Sequence, residues 1–385
     1  MQYRPYGKMG FDVSLFGMGC MRLPRREKAD GSVEIDREKA IEIIQYAADH
    51  GVNYFDTAYG YHRQMSESLV GEALDGGYRQ RVHIATKQPF AVMKDKGEIR
   101  RNLENTLKKL RTDYLDVYLI HNIQKKDWPG IQQMDVIGEF EKFKSEGLIG
   151  GIGFSYHGEL PTFREILDYY PDWAMCQVQQ NLLDVDREVT EEAIALAGQK
   201  GCALVIMEPL RGGGLASTPK DVAQLYEQFP VKRSAAEWAF RHVYNYPQVS
   251  CILSGVTTME QLKDNIEIFS RQDAVAGCMT PEEKDLLKKV KQAYESRVTI
   301  PCTGCEYCLP CPKGVAIPQI FQLYNQGMMF EAFDQPRRSY MFQRNAGHDQ
   351  PNCVACGACE KKCPQHIEIT RQLRLAHSKL DGWYE

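Results

Sequence analysis

The 385-residue sequence has no apolar run approaching the ~20 residues that cross a bilayer. Its Met1-Gln2-Tyr3-Arg4 start lacks the apolar stretch of a secretory signal. A membrane is therefore not an expected partner, and the cytoplasm is the expected compartment. Charge of one sign is also lacking: 47 Lys and Arg stand against 51 Asp and Glu, a formal −4, with no basic stripe to meet a polyanion. Nucleic acid is not an expected partner either. No internal repeat or low-complexity tract stands out. No Gly-x-Gly-x-x-Gly follows the first strand-like run, which argues against a Rossmann dinucleotide site. What the chain has in excess is cysteine, 13 in all. In a large chain of a reducing compartment, metal chemistry comes before disulfides. Cys20, Cys176, Cys202, Cys251 and Cys278 are scattered and read as buried core residues. The other eight crowd between 302 and 363.

From about residue 14 to 270, short apolar runs alternate with longer amphipathic stretches, the mark of a parallel α/β fold. The strand candidates are 15–17, 54–56, 82–86, 115–121, 149–154, 174–177, 203–207 and 249–253. Eight of them favour a closed (β/α)8 TIM barrel over an open sheet. Ile35, Ala40, Ile41, Ile44 and Ala48 form one helix face, and Ile99, Leu103, Leu107 and Leu110 another. Gly147 is the expected stop of a helix over 134–146. A last helix runs from Pro281 to Arg297 with Thr280 as N-cap. The division expected is a barrel over 1–298 and a small C-terminal module over 299–385.

In such a barrel the chemistry gathers where strands end at the C-terminal face. Asp56, Lys87 and His121 each close an apolar run, and Tyr61 follows Asp56 by five residues. Singly, they could be a helix cap, a solvated strand end and a core histidine. Together they place a carboxylate, an ammonium, an imidazole and a phenol on the ends of three consecutive strands. This pattern resembles the aldo-keto reductase family over roughly residues 5 to 270, with Asp56-Thr57-Ala58-Tyr59-Gly60-Tyr61 at the family's offset. Tyr59 is a competing phenol that the offset sets aside as packing or pocket lining.

The resemblance implies interconversion of a carbonyl and an alcohol with NADP or NAD as hydride carrier. Tyr61 is then the proton donor, Lys87 lowers its pKa, Asp56 orients Lys87, and His121 orients the carbonyl. It also implies a nucleotide site. Ser155 and Gln177 match the residues that hold the carboxamide, with Tyr156 where the family usually has Asn, and Met207 takes the place of the stacking ring. Leu210, Gly212 and Gly213 offer backbone amides suited to pyrophosphate. Thr257, Gln261 and Asn265, with Asp264, fall on the adenosine-binding turn and helix, the latter capped by Thr258. Met21, Tyr59, Tyr61 and Trp128 are candidate pocket lining. The substrate expected is a small-molecule aldehyde, ketone or alcohol.

The runs Cys302, Cys305, Cys308, Cys311-Pro312 and Cys353, Cys356, Cys359, Cys363-Pro364 match the bacterial ferredoxin spacing, the first one residue short before its last cysteine. Zinc sites instead draw one Cys-x2-Cys pair from each of two segments. Two [4Fe-4S] clusters are expected, with the fourth cysteine of each run crossing to the other cluster. Ile317 to Asn325 reads as an amphipathic helix, so the module resembles an α-helical ferredoxin-like domain. Ferredoxin-bearing aldo-keto reductases are similar over nearly the whole chain. The alternative reading is a redox-sensing or electron-transfer subunit in which the clusters serve an electron-transfer protein.

Overall fold

The structure, a computed structural model, describes residues 1–29, 31–185 and 191–382. By packing, the chain forms two compact units, one of residues 1–212 with 236–279, the other of 213–235 with 280–385.

The first unit is a closed barrel of eight parallel strands: β1 (Phe16–Gly19), β2 (Tyr54–Asp56), β3 (His83–Gln88), β4 (Leu115–Ile123), β5 (Ile149–Tyr156), β6 (Met175–Gln179), β7 (Ala203–Met207) and β8 (Val249–Ser254). Each pairs with its sequence neighbours, and β8 closes on β1 through Ile252, Leu253 and Ser254. All eight expected strands are present; 54–56 and 203–207 match at both ends, and no end of the others shifts by more than two residues. Two hairpins were not anticipated, Tyr3–Pro5 with Asp12–Ser14 and Arg25–Glu27 with Val33–Ile35. The second takes Ile35 out of the helix face assigned to it, since that helix is Arg37–Asp49, capped by Asp36.

Alternation along the strands sorts side chains into two cores. Tyr54, Ala85, Val117, Leu119, Met175, Val205, Cys251 and Leu253 pack inside the barrel, joined by Tyr6 and Val13 of the first hairpin. Phe55, Ile84, Tyr118, Ile120, Phe154, Cys176, Ile206 and Ile252 face the surrounding helices. The helix face Ile99, Leu103, Leu107 and Leu110 is buried as its spacing requires. The helix expected over 134–146 is Val136–Ser145, preceded by a separate short helix Trp128–Gln133, and Gly147 follows with φ 77°. That left-handed backbone favours glycine as a terminator.

The second unit contains the helices Lys220–Gln228, Pro281–Glu295, Ile317–Phe330, Asp334–Asn345 and Ile369–Leu380. Thr280 starts Pro281–Glu295 with a reciprocal cap: its hydroxyl accepts from Glu283 N–H, and Glu283 accepts from Thr280 N–H. Ile300, Ile317, Ile320, Phe321, Tyr340 and Leu373 belong to the module's own apolar core. The two runs of cysteine sit on repeated backbone. Gly304 and Ala355, two residues after the first cysteine of each run, have φ 71° and 54°. Glu306 and Gly357, four after it, have φ 63° and 70°. Gly314 and His366, three after the last cysteine, have φ 70° and 51°. A helix beginning with an isoleucine follows each, Ile317 and Ile369. The expectation of no internal repeat is therefore corrected: the module repeats a loop-helix unit in backbone geometry, while little but Cys and Pro repeats in sequence. No helix among the described residues is long and apolar enough to cross a membrane.

Candidate functional site

The strand period carries the candidate residues to one place. Tyr54, Ala85, Leu119, Met175 and Val205 lie in the barrel interior. Two residues on from each come Asp56, Lys87, His121, Gln177 and Met207, and Ser155 holds the same phase on β5. These six form the next layer at the C-terminal mouth.

Lys87 Nζ donates to Asp56 Oδ1 at 2.6 Å and Oδ2 at 2.7 Å, and to Thr57 O at 2.7 Å. Both side chains are almost wholly buried, at 1% and 3% exposure. Burial works against the Lys87 ammonium, but Asp56 and then Tyr61 outweigh it and hold its pKa above the usual lysine value. The Tyr61 ring centroid lies 5.2 Å from Lys87 Nζ and 6.2 Å from the His121 ring, edge-on. One expectation needs correcting here. Lys87 does pull the Tyr61 pKa down, but burial pushes the phenol up by more, and its net pKa is above the ordinary value. His121 is lowered to about 3 by burial, then by Lys87 and His157, so its imidazole is neutral near pH 7. A neutral imidazole can give a hydrogen bond to a carbonyl oxygen without adding charge.

Local backbone sets these groups. The β4–β5 register shifts between Ile120 and Ile123, and Asn122 there has φ 53°, a conformation that Asn tolerates better than most residues. Its N–H donates to Ser155 Oγ at 2.6 Å, which ties the bulge beside His121 to β5. Behind Lys87, the fully buried Glu67 accepts from Thr86 Oγ1 at 2.9 Å and Thr106 Oγ1 at 3.1 Å and pairs with Lys109 at 3.3 Å. The sequence reading missed Glu67, because an acidic residue in a first helical turn normally faces water. After Tyr61, His62, Arg63 and Gln64 all have left-handed backbone, φ 49°, 56° and 71°. Three such residues without glycine cost roughly 1–2 kcal/mol each.

Other candidates separate. Tyr59 lies under Lys109, with Nζ 4.8 Å from its ring centroid, and so faces the helix layer. Trp128 is buried, with its N–H on Glu165 Oε1 at 3.0 Å and its ring edge-on to Tyr169. Its indole belongs to the core between the barrel and its helices. Tyr156 packs on Phe163 and donates to Glu159 O at 2.8 Å. Met21 is exposed.

The residues at the mouth fit a nicotinamide carboxamide. Gln177 is buried, and its Oε1 has no hydrogen-bond partner, an acceptor that a ligand amide would satisfy. Its Nε2 lies 4.0 Å from Met207 Sδ, so the thioether borders the same spot. After β7, the chain passes through Glu208 at φ 56° and Arg211 at φ 47° to Gly212 at 69° and Gly213 at 97°. Leu210 packs its side chain on the barrel core. Thr258 caps Met259–Ser270 by accepting from Gln261 N–H at 3.3 Å, while Gln261 Oε1 accepts from Thr257 N–H at 2.8 Å. Asn265 is buried and donates to Ser254 Oγ at 3.1 Å, whereas Asp264 is exposed.

In the module, Cys302, Cys305, Cys308 and Cys363 line one cavity with Ile317, Phe321 and other residues. Among the described residues no three Cys, His, Asp or Glu side chains converge tightly enough for a single metal ion. Cys311, Cys353 and Cys359 pack against the same apolar core, and Cys356 is exposed.

The Aldo/keto reductase family model matches residues 16–274, two thirds of the chain. The chain belongs to the aldo/keto reductase family. A 4Fe-4S dicluster domain matches residues 301–368. The chain is 31% identical over 215 residues to "Probable aldo-keto reductase 1" of Glycine max, covering 54% of this chain and 59% of that protein. It is 27% identical over 323 residues to "Uncharacterized oxidoreductase YqkF" of Bacillus subtilis (strain 168), covering 76% of this chain and 97% of that one. Among solved structures, aldo-keto reductase AKR11C1 from Bacillus halodurans in its holo form aligns with TM-score 0.62 at 26% identity over 75% of this chain and 96% of that one. This aldo/keto reductase is thus an oxidoreductase that carries a 4Fe-4S ferredoxin domain.

Proposed function

We propose that this aldo/keto reductase interconverts an aldehyde or ketone and an alcohol with NADP(H) or NAD(H), and that Tyr61 exchanges the proton. The observation that carries the reading is the buried Lys87–Asp56 pair at the barrel mouth, with the Tyr61 phenol and a neutral His121 beside it. Reduction leaves charge on a carbonyl oxygen, and the site needs a proton donor and hydrogen-bond donors aimed there. The nicotinamide, when bound, supplies the hydride. Tyr61 O–H gives its proton to the developing alkoxide, Lys87 stabilises the tyrosinate left behind, and Asp56 holds Lys87 in place. His121 N–H orients the oxygen. Ser155 and Gln177 hold the carboxamide, Met207 borders the ring, the amides of Leu210, Gly212 and Gly213 face the pyrophosphate, and Thr257, Gln261 and Asn265 flank the adenosine.

The functional division is the barrel over 1–298 and the cluster module over 299–385. Cys302, Cys305, Cys308 and Cys363 hold one [4Fe-4S] cluster, a grouping supported by their shared cavity, and Cys353, Cys356, Cys359 and Cys311 hold the other. The compartment is the cytoplasm. Electron exchange with a separate protein is a second reading, favoured by exposed Tyr307 and Val354 inside the two cysteine runs. The test is anaerobic oxidation of NADPH and of NADH by cluster-loaded protein against a panel of aldehydes and ketones. Turnover that disappears in Tyr61→Phe supports the reductase. No turnover on any carbonyl, with reduction of an acceptor protein instead, supports the second reading.

A further inference from the structure

The turn after Tyr61 is strained and fastened at one point that the reaction scheme leaves unused. Tyr61 is followed by His62, Arg63 and Gln64, all left-handed at φ 49°, 56° and 71°. Side chains disfavour this backbone, and it persists only where surrounding structure over-determines it. Arg63 and Gln64 are exposed, so neither is gripped by packing. His62 is half-buried, and its Nε2 accepts from the backbone N–H of Leu23 at 3.3 Å. Leu23 is fully buried and lies on the loop after β1. Further along, Met65 N–H donates to His62 O at 3.2 Å and Ser66 N–H to Tyr61 O at 3.3 Å. Ser66 Oγ in turn donates to Cys20 O at 3.0 Å and accepts from Thr57 Oγ1 at 2.9 Å. The loop from Thr57 to Ser66 is thus pinned at its two ends by hydroxyls, and at its strained middle by the His62 side chain.

We infer that His62 is a positioning residue that latches the left-handed turn to the loop after β1 and so fixes the Tyr61 ring beside Lys87 and His121. This inference rests on Tyr61 being the proton donor. To accept from Leu23, Nε2 must be unprotonated, which places the proton of the neutral ring on Nδ1. Burial, then Arg25, lowers the His62 pKa to about 4, so the acceptor persists across the neutral range. Glutamine can place an acceptor at the reach of Nε2. Leucine cannot, and asparagine falls short of it.

The test uses the full chain with 3-fluorotyrosine at position 61, read by 19F NMR, beside single-turnover kinetics. We expect one narrow fluorine resonance in the parent and in His62→Gln, and in His62→Leu a resonance broadened or moved to the value of the unfolded chain. Where His62→Leu fails to fold, His62→Asn takes its place with the same expectation. The chemical step should slow about tenfold to a hundredfold in His62→Leu at unchanged NADPH affinity, as for a misplaced catalytic group. It should slow no further when His62→Leu is added to Tyr61→Phe. An identical fluorine resonance in all variants, or an undiminished loss on the Tyr61→Phe background, overturns the inference. A responsive fluorine signal in a chain that reduces no carbonyl keeps the latch and removes the proposed reaction.

Discussion

The mouth of the barrel and the cysteine module prepare their sites in opposite ways. At the mouth, residues from six strands meet because the barrel closes, and the polar groups are buried before any ligand arrives: Asp56, Lys87, Ser155 and Gln177 are all 3% exposed or less. Spacing along the chain is nearly irrelevant there, since Asp56 and Gln177 are 121 residues apart. In the module, cysteines three residues apart share a loop, sit half-buried or exposed, and rest on repeated left-handed turns. The barrel supplies a buried, pre-aimed site, whereas in the proposed scheme the module supplies cysteines whose arrangement a bound cluster would complete.

The sharpest break of this contrast is at the mouth. Tyr61→Phe should lower kcat/KM for carbonyl reduction by about 10²–10⁴-fold, the range of a general acid, and leave nucleotide affinity nearly unchanged. Equal activity in Tyr61→Phe with loss in Tyr59→Phe would place the proton on the other phenol. The module breaks differently. Cys363→Ala should remove the cluster whose other ligands come from the first run, halving the iron content, while nucleotide binding and carbonyl reduction persist. Loss of the cluster held by the second run instead would mean that each run closes on its own metal. A smaller effect is expected from Gln177→Leu, which removes the buried acceptor: nicotinamide nucleotide affinity should fall about tenfold, in line with ~1–3 kcal/mol for a donor left unsatisfied. Unchanged affinity would take Gln177 out of the site.

A further effect is on stability. His121 has a folded pKa of about 3 against 6.5 for the free side chain. As pH falls below about 6.5, the unfolded chain takes up this proton first, so its contribution to stability is complete above that pH and fades toward pH 3. The melting temperature of the parent should therefore drop more steeply between pH 6.5 and 4 than that of His121→Asn. Parallel curves would show that His121 titrates normally.

Much of the mouth was legible because a polar residue closing an apolar run is a one-dimensional signal, and Asp56, Lys87 and His121 each give it. The eight strands were legible for the same reason. The hairpin Arg25–Glu27 with Val33–Ile35 was not, since three exposed, mostly charged residues carry no apolar period. Glu67 and Asn122 escaped because their roles depend on partners from other elements, Thr106 and Ser155. Trp128, close to His121 in sequence, packs its indole on Glu165 and Tyr169, partners that sequence spacing does not show. The lowered Tyr61 pKa failed because the sign of a shift depends on burial as well as on the nearest charge, and burial cannot be read from spacing. The repeat in the module was hidden because the two halves share backbone angles more than residues.

In the proposed reaction, hydride chemistry at the mouth proceeds without the clusters. Reduced nicotinamide gives up two electrons as a hydride, a [4Fe-4S] cluster ordinarily accepts one, and the sequence has no dinucleotide fingerprint for a flavin to divide the pair. The direct measurement mixes anaerobic, cluster-loaded protein with NADPH or NADH, without carbonyl or flavin, and follows the EPR signal of reduced cluster. No signal is expected on the timescale of turnover; rapid stoichiometric reduction of the clusters would show a direct electron path from the nicotinamide.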